Sequence, residues 1–294
     1  MESHDVVIVG GGPTGLSAAR RLVDLGIRDV VVLEREAMAG GILRHCGHLG
    51  FGWRSHKRLW TGPRFAAELR KSTKSLDIRT AATVLELLKD GQLRIQTPSG
   101  LGEMIAKHIL VATGIRETPR STRLVGGGRP QGVMNTGTLQ QHVYLHHNKP
   151  FARPVIIGSE LVSFSALLTC RHLGIRPVAM LEENLHISAP RPGDLVARFV
   201  FDVPVRTSTK LIAIEGRKNV EAVEIERRGK RERIVCDGVI FTGLFRPETA
   251  LIPTGLPSEK YSSAGNVLGP LKTSGECWQQ GILAAENIAK RLAS

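Results

Sequence analysis

The apolar positions of this chain form short strand-like runs that alternate with stretches of helical periodicity. The run Val6–Val9 is followed by a helical pattern over Leu16–Val23 and by a second apolar run, Val30–Leu33. The same order of strand, glycine turn, helix and strand returns over Pro154–Glu182. Uninterrupted apolar runs between helices are typical of buried strands in parallel sheets. The pattern therefore predicts an α/β protein that contains two similar βαβ units.

Further elements are predicted outside these two units. Two runs end in Thr-Gly, Ile109–Gly114 and Gly238–Gly243, and each is predicted as a buried strand that closes its unit. The last helix is predicted over Thr273–Ala293, and it is amphipathic. The other predicted elements are a helix at Pro63–Ser72, strands at Val84–Leu88 and Leu93–Thr97 around the turn Asp90-Gly91, strands at Leu211–Glu215 and Val220–Glu226 as partners of the second unit, and a strand at Ser262–Val267 that leads into a turn.

This order predicts two Rossmann-like dinucleotide-binding domains, the second inserted in the first. The first part of the outer domain is predicted at residues 1–118, the inserted domain at 119–243, and the C-terminal part of the outer domain at 244–294.

The first strand runs directly into Gly10-Gly11-Gly12-Pro13-Thr14-Gly15, a Gly-x-Gly-x-x-Gly motif that opens the first helix. Gly10 permits the turn off the strand, Gly12 lets a pyrophosphate approach the backbone, and Gly15 lets the helix pack close to the sheet. The helix N-terminus presents N–H groups and partial positive charge to phosphates. Glu34, at the end of the next strand, can accept hydrogen bonds from a ribose. This sequence indicates an adenine dinucleotide site; the alternative is a glycine-rich turn in an unrelated α/β protein.

Composition narrows the class of protein. No segment approaches the ~20 consecutive apolar residues that a membrane span needs, and no signal peptide precedes the first strand, so a cytoplasmic location is the expectation. The four cysteines are scattered without a Cys-x-x-Cys pair, which argues against a disulfide framework and a redox dithiol. The net charge is +13, but the basic residues are dispersed and aromatic residues make up only 4%. Nucleic-acid binding is therefore not expected, and an acidic protein partner or an anionic membrane surface is the alternative to a basic composition without specific meaning.

Several loops together resemble the two-dinucleotide-domain flavoproteins of the thioredoxin reductase and glutathione reductase class. Within that class the chain is similar to the FAD-binding subunits of opine oxidase, of hydrogen cyanide synthase and of enzymes associated with glycerol-3-phosphate dehydrogenase. The motifs that carry this resemblance are Gly40–His48, Thr61-Gly62-Pro63, Arg129–Val133 with Thr136-Gly137-Thr138, and Ala264–Val267.

The resemblance implies a FAD site in the outer domain. Residues implied to bind the adenosine and pyrophosphate are Gly10, Gly12, Pro13, Thr14, Gly15, Glu34, Arg35, Thr113 and Gly114. Gly265 and Asn266 are implied to meet the pyrophosphate and ribityl chain, with Asn266 in place of the Asp of the broader class. The isoalloxazine is implied near Gly41, Ile42, His45, Cys46 and His48, and the helix that begins at Thr273 is implied to face its pyrimidine side.

The inserted domain departs from the motif that NAD(P) requires. In register with the first motif it reads Gly158-Ser159-Glu160-Leu161-Val162-Ser163. Glu160 stands where a pyrophosphate needs bare backbone, and a carboxylate there repels phosphate. Ser163 replaces the glycine of close helix packing. NAD(P) binding is therefore doubtful, although Glu182 could hold a ribose; a structural shell or a site for another nucleotide is the preferred interpretation.

A second departure is the stretch from Leu256 to Gly265, which is shorter than in the relatives. The chain also ends at Ser294 without the cysteine-rich iron–sulfur domain of some relatives. These differences predict a loosely held FAD, or one that a partner covers.

The candidate catalytic residues are His45, Cys46 and His48. Either histidine could adjust protonation of the flavin, or be a hydrogen-bonded loop residue. Cys46 could be a redox thiol, but a small packing residue is preferred. No metal is expected, because Arg44–His48 lacks a second pair of ligands elsewhere.

The sequence thus predicts a FAD-dependent oxidoreductase subunit. The resemblance implies that it relays electrons between its flavin and a partner flavoprotein dehydrogenase or oxidase that acts on a small amine, amino acid or hydroxy acid, and a hetero-oligomer is expected. One alternative is a self-sufficient NAD(P)H-dependent flavin reductase. The other is a nucleotide-binding structural subunit without redox activity.

Overall fold

A computed structural model describes residues 1–253, 255, 257 and 259–293 of the chain. The described residues form two compact units. Unit 1 consists of Met1–Arg44, Leu49–Arg116 and Arg246–Ser294, and unit 2 consists of His45–His48 and Glu117–Phe245. The shortened stretch predicted from Leu256 to Gly265 includes Leu256 and Ser258, which lie outside the described residues.

Unit 1 is built on a seven-stranded sheet. The sheet has the order β5-β2-β1-β8-β7-β6, and β20 also pairs with β8. Its strands are β1 (Glu2–Val9), β2 (Val30–Leu33), β5 (Asp77–Arg79), β6 (Thr83–Leu87), β7 (Gln92–Thr97), β8 (Gly100–Val111) and β20 (Tyr261–Ser263). Its helices are α1 (Pro13–Asp24), α2 (Trp53–His56), α3 (Gly62–Ser72) and α7 (Ser274–Ala293). A two-stranded sheet joins β3 (Leu49–Phe51) to β4 (Trp60–Thr61).

Strand β8 is longer than the predicted run Ile109–Gly114. Its last residues, from His108 to Val111, are all buried, because Ile109 and Val111 pack into one core of unit 1 and Leu110 packs into the other. Its first half pairs antiparallel with β7 and alternates between buried and more exposed positions. An uninterrupted apolar run therefore appears only in the half of β8 that is buried on both faces, because the other half has one face open to solvent.

Unit 2 contains a five-stranded parallel sheet and a separate four-stranded sheet. The parallel sheet has the order β11-β18-β12-β13-β14, and the other has the order β10-β15-β16-β17. The strands are β10 (Gly126–Gly127), β11 (Val133–Asn135), β12 (Pro154–Ile157), β13 (Ala179–Leu181), β14 (Val205–Arg206), β15 (Thr209–Glu215), β16 (Ala222–Arg227), β17 (Lys230–Val235) and β18 (Gly238–Phe241). The helices are α4 (Thr136–Tyr144), α5 (Leu161–His172) and α6 (Gly193–Leu195). The remaining strands, β9 (Ile115–Glu117) and β19 (Phe245–Pro247), pair with each other.

The predicted pairing partners of two strands in unit 2 were wrong. The predicted strands Leu211–Glu215 and Val220–Glu226 exist as β15 and β16, but they lie in the four-stranded sheet instead of extending the parallel one. They pair antiparallel with each other, and β16 continues through the turn Arg228-Gly229 into β17. A hairpin needs only a short connection, whereas a further parallel strand would need a crossover helix that this segment lacks.

The two βαβ units share their backbone geometry, which confirms the predicted fold of two Rossmann-like domains. In unit 1 the Gly10 N–H donates to the Leu33 carbonyl, and in unit 2 the Gly158 N–H donates to the Leu181 carbonyl, both at 2.8 Å. Gly10 and Gly158 have φ of 113° and 111°, a region that favours glycine. In both units a glycine turn therefore passes the chain from a central strand to a helix N-terminus.

Each unit has its own apolar core. In unit 1, α1 and α7 pack against one face of the sheet through residues such as Leu22, Ala285 and Ile288. In unit 2, α4 and α5 cover the parallel sheet through Leu139, Val143 and Leu167. In the described part of the chain, no helix is both long and apolar enough to cross a bilayer.

Candidate functional site

The turn between β1 and α1 has the close contacts that its three glycines predict. A Cβ on Gly10 would lie 2.5 Å from the Ala112 carbonyl oxygen, and one on Gly15 would lie 1.9 Å from the Gly10 oxygen. A Cβ on Gly12, by contrast, would have no heavy atom of the described residues within 4 Å, apart from those of its chain neighbours. Gly10 and Gly15 are therefore required by packing, whereas the space at Gly12 is open.

The N-terminus of α1 is compatible with an anion. Gly12 is the N-cap residue, Pro13 is the first helical residue, and the helix has no side-chain cap and no acidic residue in its first turn. Pro13 fits this position because its missing N–H would have no partner in the helix anyway. The N–H groups of the first turn and the helix dipole then favour negative charge beside Gly12.

Glu34 is buried at the end of β2, beside this turn. Its Oε2 accepts the Gly11 N–H and its Oε1 accepts the Glu36 N–H, both at 2.9 Å. Each carboxylate oxygen keeps capacity for a further hydrogen bond, so Glu34 can also accept from a ribose hydroxyl. The neighbouring Arg35 side chain is exposed and lies 3.9 Å from the Glu36 carboxylate.

Gly41 and Gly265 also lie at the turn. A Cβ on Gly41 would lie 3.1 Å from Gly12 Cα, and one on Gly265 would lie 2.3 Å from Thr14 Oγ1. Both glycines have positive φ, at 59° and 82°. Ile42 follows Gly41 with an exposed side chain. The structure thus brings the predicted residues 41 and 265 together with the Gly10–Gly15 motif in unit 1.

The Asn266 side chain is engaged with the start of the last helix. Its Oδ1 accepts the Lys272 N–H at 2.7 Å and its Nδ2 donates to the Lys272 carbonyl at 3.2 Å. Thr273 and Glu276 form a capping box, in which Glu276 Oε2 accepts the Thr273 N–H at 2.8 Å. Asn266 therefore holds the loop before α7, and any contact with a ligand would come in addition to that role.

Thr113 and Gly114 follow β8 in unit 1. Thr113 Oγ1 donates to the Glu248 carbonyl at 2.8 Å, and the Glu248 N–H donates to the Gly114 carbonyl at 3.0 Å. Gly114 has φ of 81°, which favours glycine. The Thr-Gly pair thus fixes the segment Arg246–Glu248 next to the end of β8.

The candidate catalytic residues belong to unit 2. Cys46 lies with its Sγ 3.4 Å from Gln140 Oε1 on α4. Burial raises the pKa of the Cys46 thiol to about 12, and Glu117 adds to the effect. At neutral pH this thiol is protonated, so its chemistry is that of a weak hydrogen-bond donor and not of a nucleophile. His45 is buried and His48 is half-buried.

In unit 2 a carboxylate lies over the glycine turn. Glu160 is the N-cap residue of α5, and its Oε2 lies 3.0 Å from Thr242 Oγ1 and 3.2 Å from Ser163 Oγ. A Cβ on Gly158 would lie 2.6 Å from Glu160 Oε2, and one on Gly243 would lie 2.3 Å from Glu160 Oε1. The Glu160 side chain therefore folds back over the turn, at the position that corresponds to the open space at Gly12.

Glu182 corresponds to Glu34 and is satisfied by its own unit. Its Oε1 accepts the Asn184 N–H at 2.9 Å and the Asn184 side-chain amide at 2.8 Å. Its Oε2 accepts the Ser159 hydroxyl and, at 3.2 Å, the Ser188 hydroxyl. Four donors therefore already surround a carboxylate that was predicted as a possible ribose acceptor.

Sequence reasoning missed Glu117 and Arg123. Glu117 is buried, and its two oxygens accept the Gly137 N–H at 2.8 Å and the Gly243 N–H at 3.1 Å. Burial raises the pKa of the Glu117 carboxyl. Arg123 donates to the carbonyls of Thr242 and Gly243. An isolated Glu after a Thr-Gly strand carries no motif, so no sequence signal points to this cluster.

The geometry of the unit 1 turn meets the steric and electrostatic needs of a bound FAD pyrophosphate. Open space lies at Gly12, uncapped N–H groups lie at the start of α1, and the buried Glu34 carboxylate lies beside them. The four cysteines are free thiols. Among the described residues, no group of three or more His, Cys, Asp or Glu side chains is arranged to hold a metal ion.

Comparison with known proteins identifies the family. The sequence model of the family described as Pyridine nucleotide-disulphide oxidoreductase matches residues 4–262. Among solved structures, thioredoxin reductase from T. acidophilum superposes with a TM-score of 0.80 at 21% identity, over 100% of both chains. At that identity the likeness concerns the fold, which is the two-domain α/β fold described above.

Two curated relatives are subunits of larger enzymes. Sarcosine oxidase subunit alpha of Rhizobium meliloti is 23% identical over 83% of this chain and 24% of that protein. Hydrogen cyanide synthase subunit HcnB of Pseudomonas protegens is 29% identical over 53% of this chain and 34% of that protein. The chain thus spans about a quarter and about a third of the length of these two relatives.

Proposed function

Because this chain belongs to the pyridine nucleotide-disulphide oxidoreductase family, we propose that it is a FAD-dependent electron-transfer subunit. Members of the family are oxidoreductases that use FAD with NAD(P). In this proposal the chain relays electrons between its flavin and a partner flavoprotein. The partner oxidises a small amine, an amino acid or a hydroxy acid.

FAD is assigned to unit 1. Gly12 and the first turn of α1 would hold the pyrophosphate, Glu34 would accept from the adenosine ribose, and Gly41 and Gly265 would border the cofactor. When bound, the flavin supplies the redox chemistry, while the protein supplies position and electrostatics. The start of α7 would bring the positive end of a helix dipole to the pyrimidine side of the flavin, and Glu276 in its first turn would offset part of that charge.

The observation that carries the relay role is the contrast between Gly12 and Glu160. The backbone at Gly12 is open, whereas the Glu160 carboxylate covers the corresponding turn of unit 2. A dinucleotide pyrophosphate would meet that carboxylate at close range, where two negative charges repel by about 4 kcal/mol at 4 Å and an effective dielectric constant of 20. We infer that NAD(P)H does not bind unit 2, so the electrons of the flavin are exchanged with a partner protein.

The relatives support a subunit role. Sarcosine oxidase subunit alpha and hydrogen cyanide synthase subunit HcnB are both named as subunits, and the first belongs to an oxidase of a small amine. The proposal for this chain has three further parts. They are the domain boundaries 118/119 and 243/244, the participation of His45 and His48 in flavin protonation, and the hetero-oligomeric state.

Anaerobic spectroscopy of the purified chain tests this function. The proposal expects a yellow protein that dithionite bleaches and a tenfold excess of NADH or NADPH leaves oxidised. Bleaching by NADH would instead identify a self-sufficient flavin reductase. A colourless protein that does not take up FAD would identify a structural subunit. A tagged chain should also retain a second flavoprotein from its host, whose substrate then bleaches the flavin of the complex.

A further inference from the structure

The segment His45–His48, here named the histidine loop, is anchored to unit 2. Its neighbours on both sides along the chain, up to Arg44 and from Leu49, belong to unit 1. The loop carries both histidines that the proposed function assigns to the flavin environment. What holds the loop therefore also determines where these two histidines lie.

The first anchor is a chain of hydrogen bonds that starts at Cys46. The Cys46 thiol donates to Gln140 Oε1, with 3.4 Å between the sulfur and the oxygen. The Gln140 amide in turn donates through Nε2 to Ser165 Oγ at 2.7 Å. Gln140 is buried. In this arrangement the amide oxygen of Gln140 faces Cys46, and the protonated thiol supplies the donor for it.

The second anchor is the contact of Gly47 with Tyr144. A Cβ on Gly47 would lie 2.1 Å from Tyr144 Cζ, so any other residue here would displace the ring or the loop backbone. The ring centroid of Tyr144 lies 5.1 Å from that of His172 on α5. His172 of α5 therefore supports the Tyr144 ring, as Ser165 of α5 supports the Gln140 amide.

The two anchors repeat with the period of a helix. Gln140 and Tyr144 are four residues apart on α4, and Ser165 and His172 are seven residues apart on α5. Residues four or seven apart lie on the same helix face, one or two turns apart. Two consecutive loop residues are thus each held by a residue of α4 that a residue of α5 supports.

We propose that these two anchors form a clamp that positions His45 and His48, and that Cys46 acts in it as a hydrogen-bond donor and not as a redox thiol. The clamp consists of Cys46, Gln140 and Ser165 in one arm and Gly47, Tyr144 and His172 in the other. Its effect on the flavin rests on the proposed function, because the histidines matter to redox chemistry only if FAD is bound as assigned. The clamp itself does not depend on FAD.

The pair Cys46→Ala and Cys46→Ser tests the donor role. Serine keeps an O–H donor toward Gln140, whereas alanine has none, and neither residue has thiol redox chemistry. In the protein without FAD, amide hydrogen exchange of a peptide over residues 41–53 should speed up by about fivefold in Cys46→Ala and in Gln140→Ala, because one net hydrogen bond is lost. Cys46→Ser should stay within about twofold of the wild type by the same argument.

Cys236→Ala is the matched control, because Cys236 is a buried cysteine of unit 2 that packs in another cluster. It should leave exchange of residues 41–53 unchanged. Equal exchange in Cys46→Ala, Cys46→Ser and the wild type would overturn the clamp.

Flavin spectra then test the link to the cofactor. In protein loaded with FAD, Cys46→Ala and Gln140→Ala should shift the visible absorption bands and the midpoint potential, whereas Cys46→Ser should match the wild type. Equal shifts in Cys46→Ala and Cys46→Ser would show that the thiol itself acts on the flavin, which contradicts the proposal. A wild-type protein that takes up no FAD would refute the proposed function, while the exchange result would still decide on the clamp.

Discussion

The Oε2 atom of Glu160 lies 3.0 Å from Oγ1 of Thr242, and this contact closes the glycine turn of unit 2. Thr242 Oγ1 also lies 2.7 Å from Ser163 Oγ and 2.9 Å from the Ile157 carbonyl oxygen. The carboxylate thus lies within hydrogen-bond distance of two hydroxyl groups, one at a strand end and one in the first turn of α5, and each hydroxyl has a single proton to donate. A side chain held in this way does not leave the turn without the loss of these hydrogen bonds.

The double variant Glu160→Gly/Ser163→Gly should gain affinity for NADH. It removes the charge and the volume of the carboxylate and restores the glycine of close helix packing. In the variant the Thr242 hydroxyl can donate its proton to the Ile157 carbonyl, 2.9 Å away, so it is not left without a partner. We expect the dissociation constant, measured by titration calorimetry, to fall by at least about tenfold, which corresponds to ~1.4 kcal/mol.

Glu160→Gln separates charge from volume in the same assay. It removes the negative charge but fills nearly the same space, so its gain should be smaller than that of the double variant. If the double variant binds NADH no better than the wild type, the obstacle lies outside this turn.

Gly12→Glu should abolish FAD content without unfolding the protein. The φ of Gly12 is −82°, which any residue adopts, and the open space at its Cβ position accommodates a side chain. The carboxylate would then occupy and repel the site of the pyrophosphate. The ratio of flavin to protein, measured by absorbance after FAD loading, should approach zero, while the free energy of unfolding of the FAD-free protein changes by less than about 0.5 kcal/mol.

Gln96→Glu is the control for Gly12→Glu, because it adds the same charge at an exposed position of β7 in the same unit. It should bind FAD as the wild type does. Normal FAD occupancy in Gly12→Glu would show that the cofactor site is misplaced.

Most of the fold could be predicted because its signals are local. Helix α1 was predicted over Leu16–Val23 and spans Pro13–Asp24, and α7 was predicted from Thr273 and begins at Ser274. The turn at Gly10 could be inferred from the glycine spacing alone. The separate sheet of β15 and β16 could not, because a strand's partner depends on the topology of the connections and not on its own apolar pattern.

The site was predictable to the extent that neighbours in sequence form it. Glu34 contacts the glycine motif as its position at a strand end implies. The bond of Cys46 to Gln140 joins residues 94 positions apart, and the bond of Glu117 to Gly243 joins residues 126 positions apart. No periodicity or motif encodes such pairs, so they become visible only in the folded structure.

Glu117→Gln should change how stability depends on pH. The raised pKa of Glu117 means that the folded protein binds a proton more tightly than the unfolded chain does. This contribution is fully present below the unfolded pKa near 4.5, and it is lost as pH rises through the folded value. The free energy of urea unfolding of the wild type should therefore decline relative to that of Glu117→Gln as pH rises from 4.5 towards neutrality.

The variant also loses one acceptor, because a glutamine amide offers a single oxygen to the N–H groups of Gly137 and Gly243. Its unfolding free energy should therefore be lower than that of the wild type by about 1–3 kcal/mol at low pH, with the gap narrowing as pH rises. A gap that widens with pH would show that the ionised carboxylate stabilises the fold, contrary to the direction given by its burial.

Gly281→Ala provides a test of the packing of α7 on α1, because two effects oppose each other. In an exposed helix interior, alanine stabilises relative to glycine by about 1 kcal/mol. Here, however, a Cβ would lie 2.0 Å from Ser17 Oγ and 2.2 Å from the Thr14 carbonyl oxygen. The backbone contact cannot be relieved by a rotamer change, so the helices must separate, at a cost of about 1–3 kcal/mol for an overpacked core. Because Thr14 lies in the first turn of α1, we also expect weaker FAD retention.

Asn287→Ala, at an exposed position of the same helix, is the control and should be neutral or stabilising. Urea unfolding that shows Gly281→Ala to be as stable as Asn287→Ala would mean that α1 and α7 are not packed this closely.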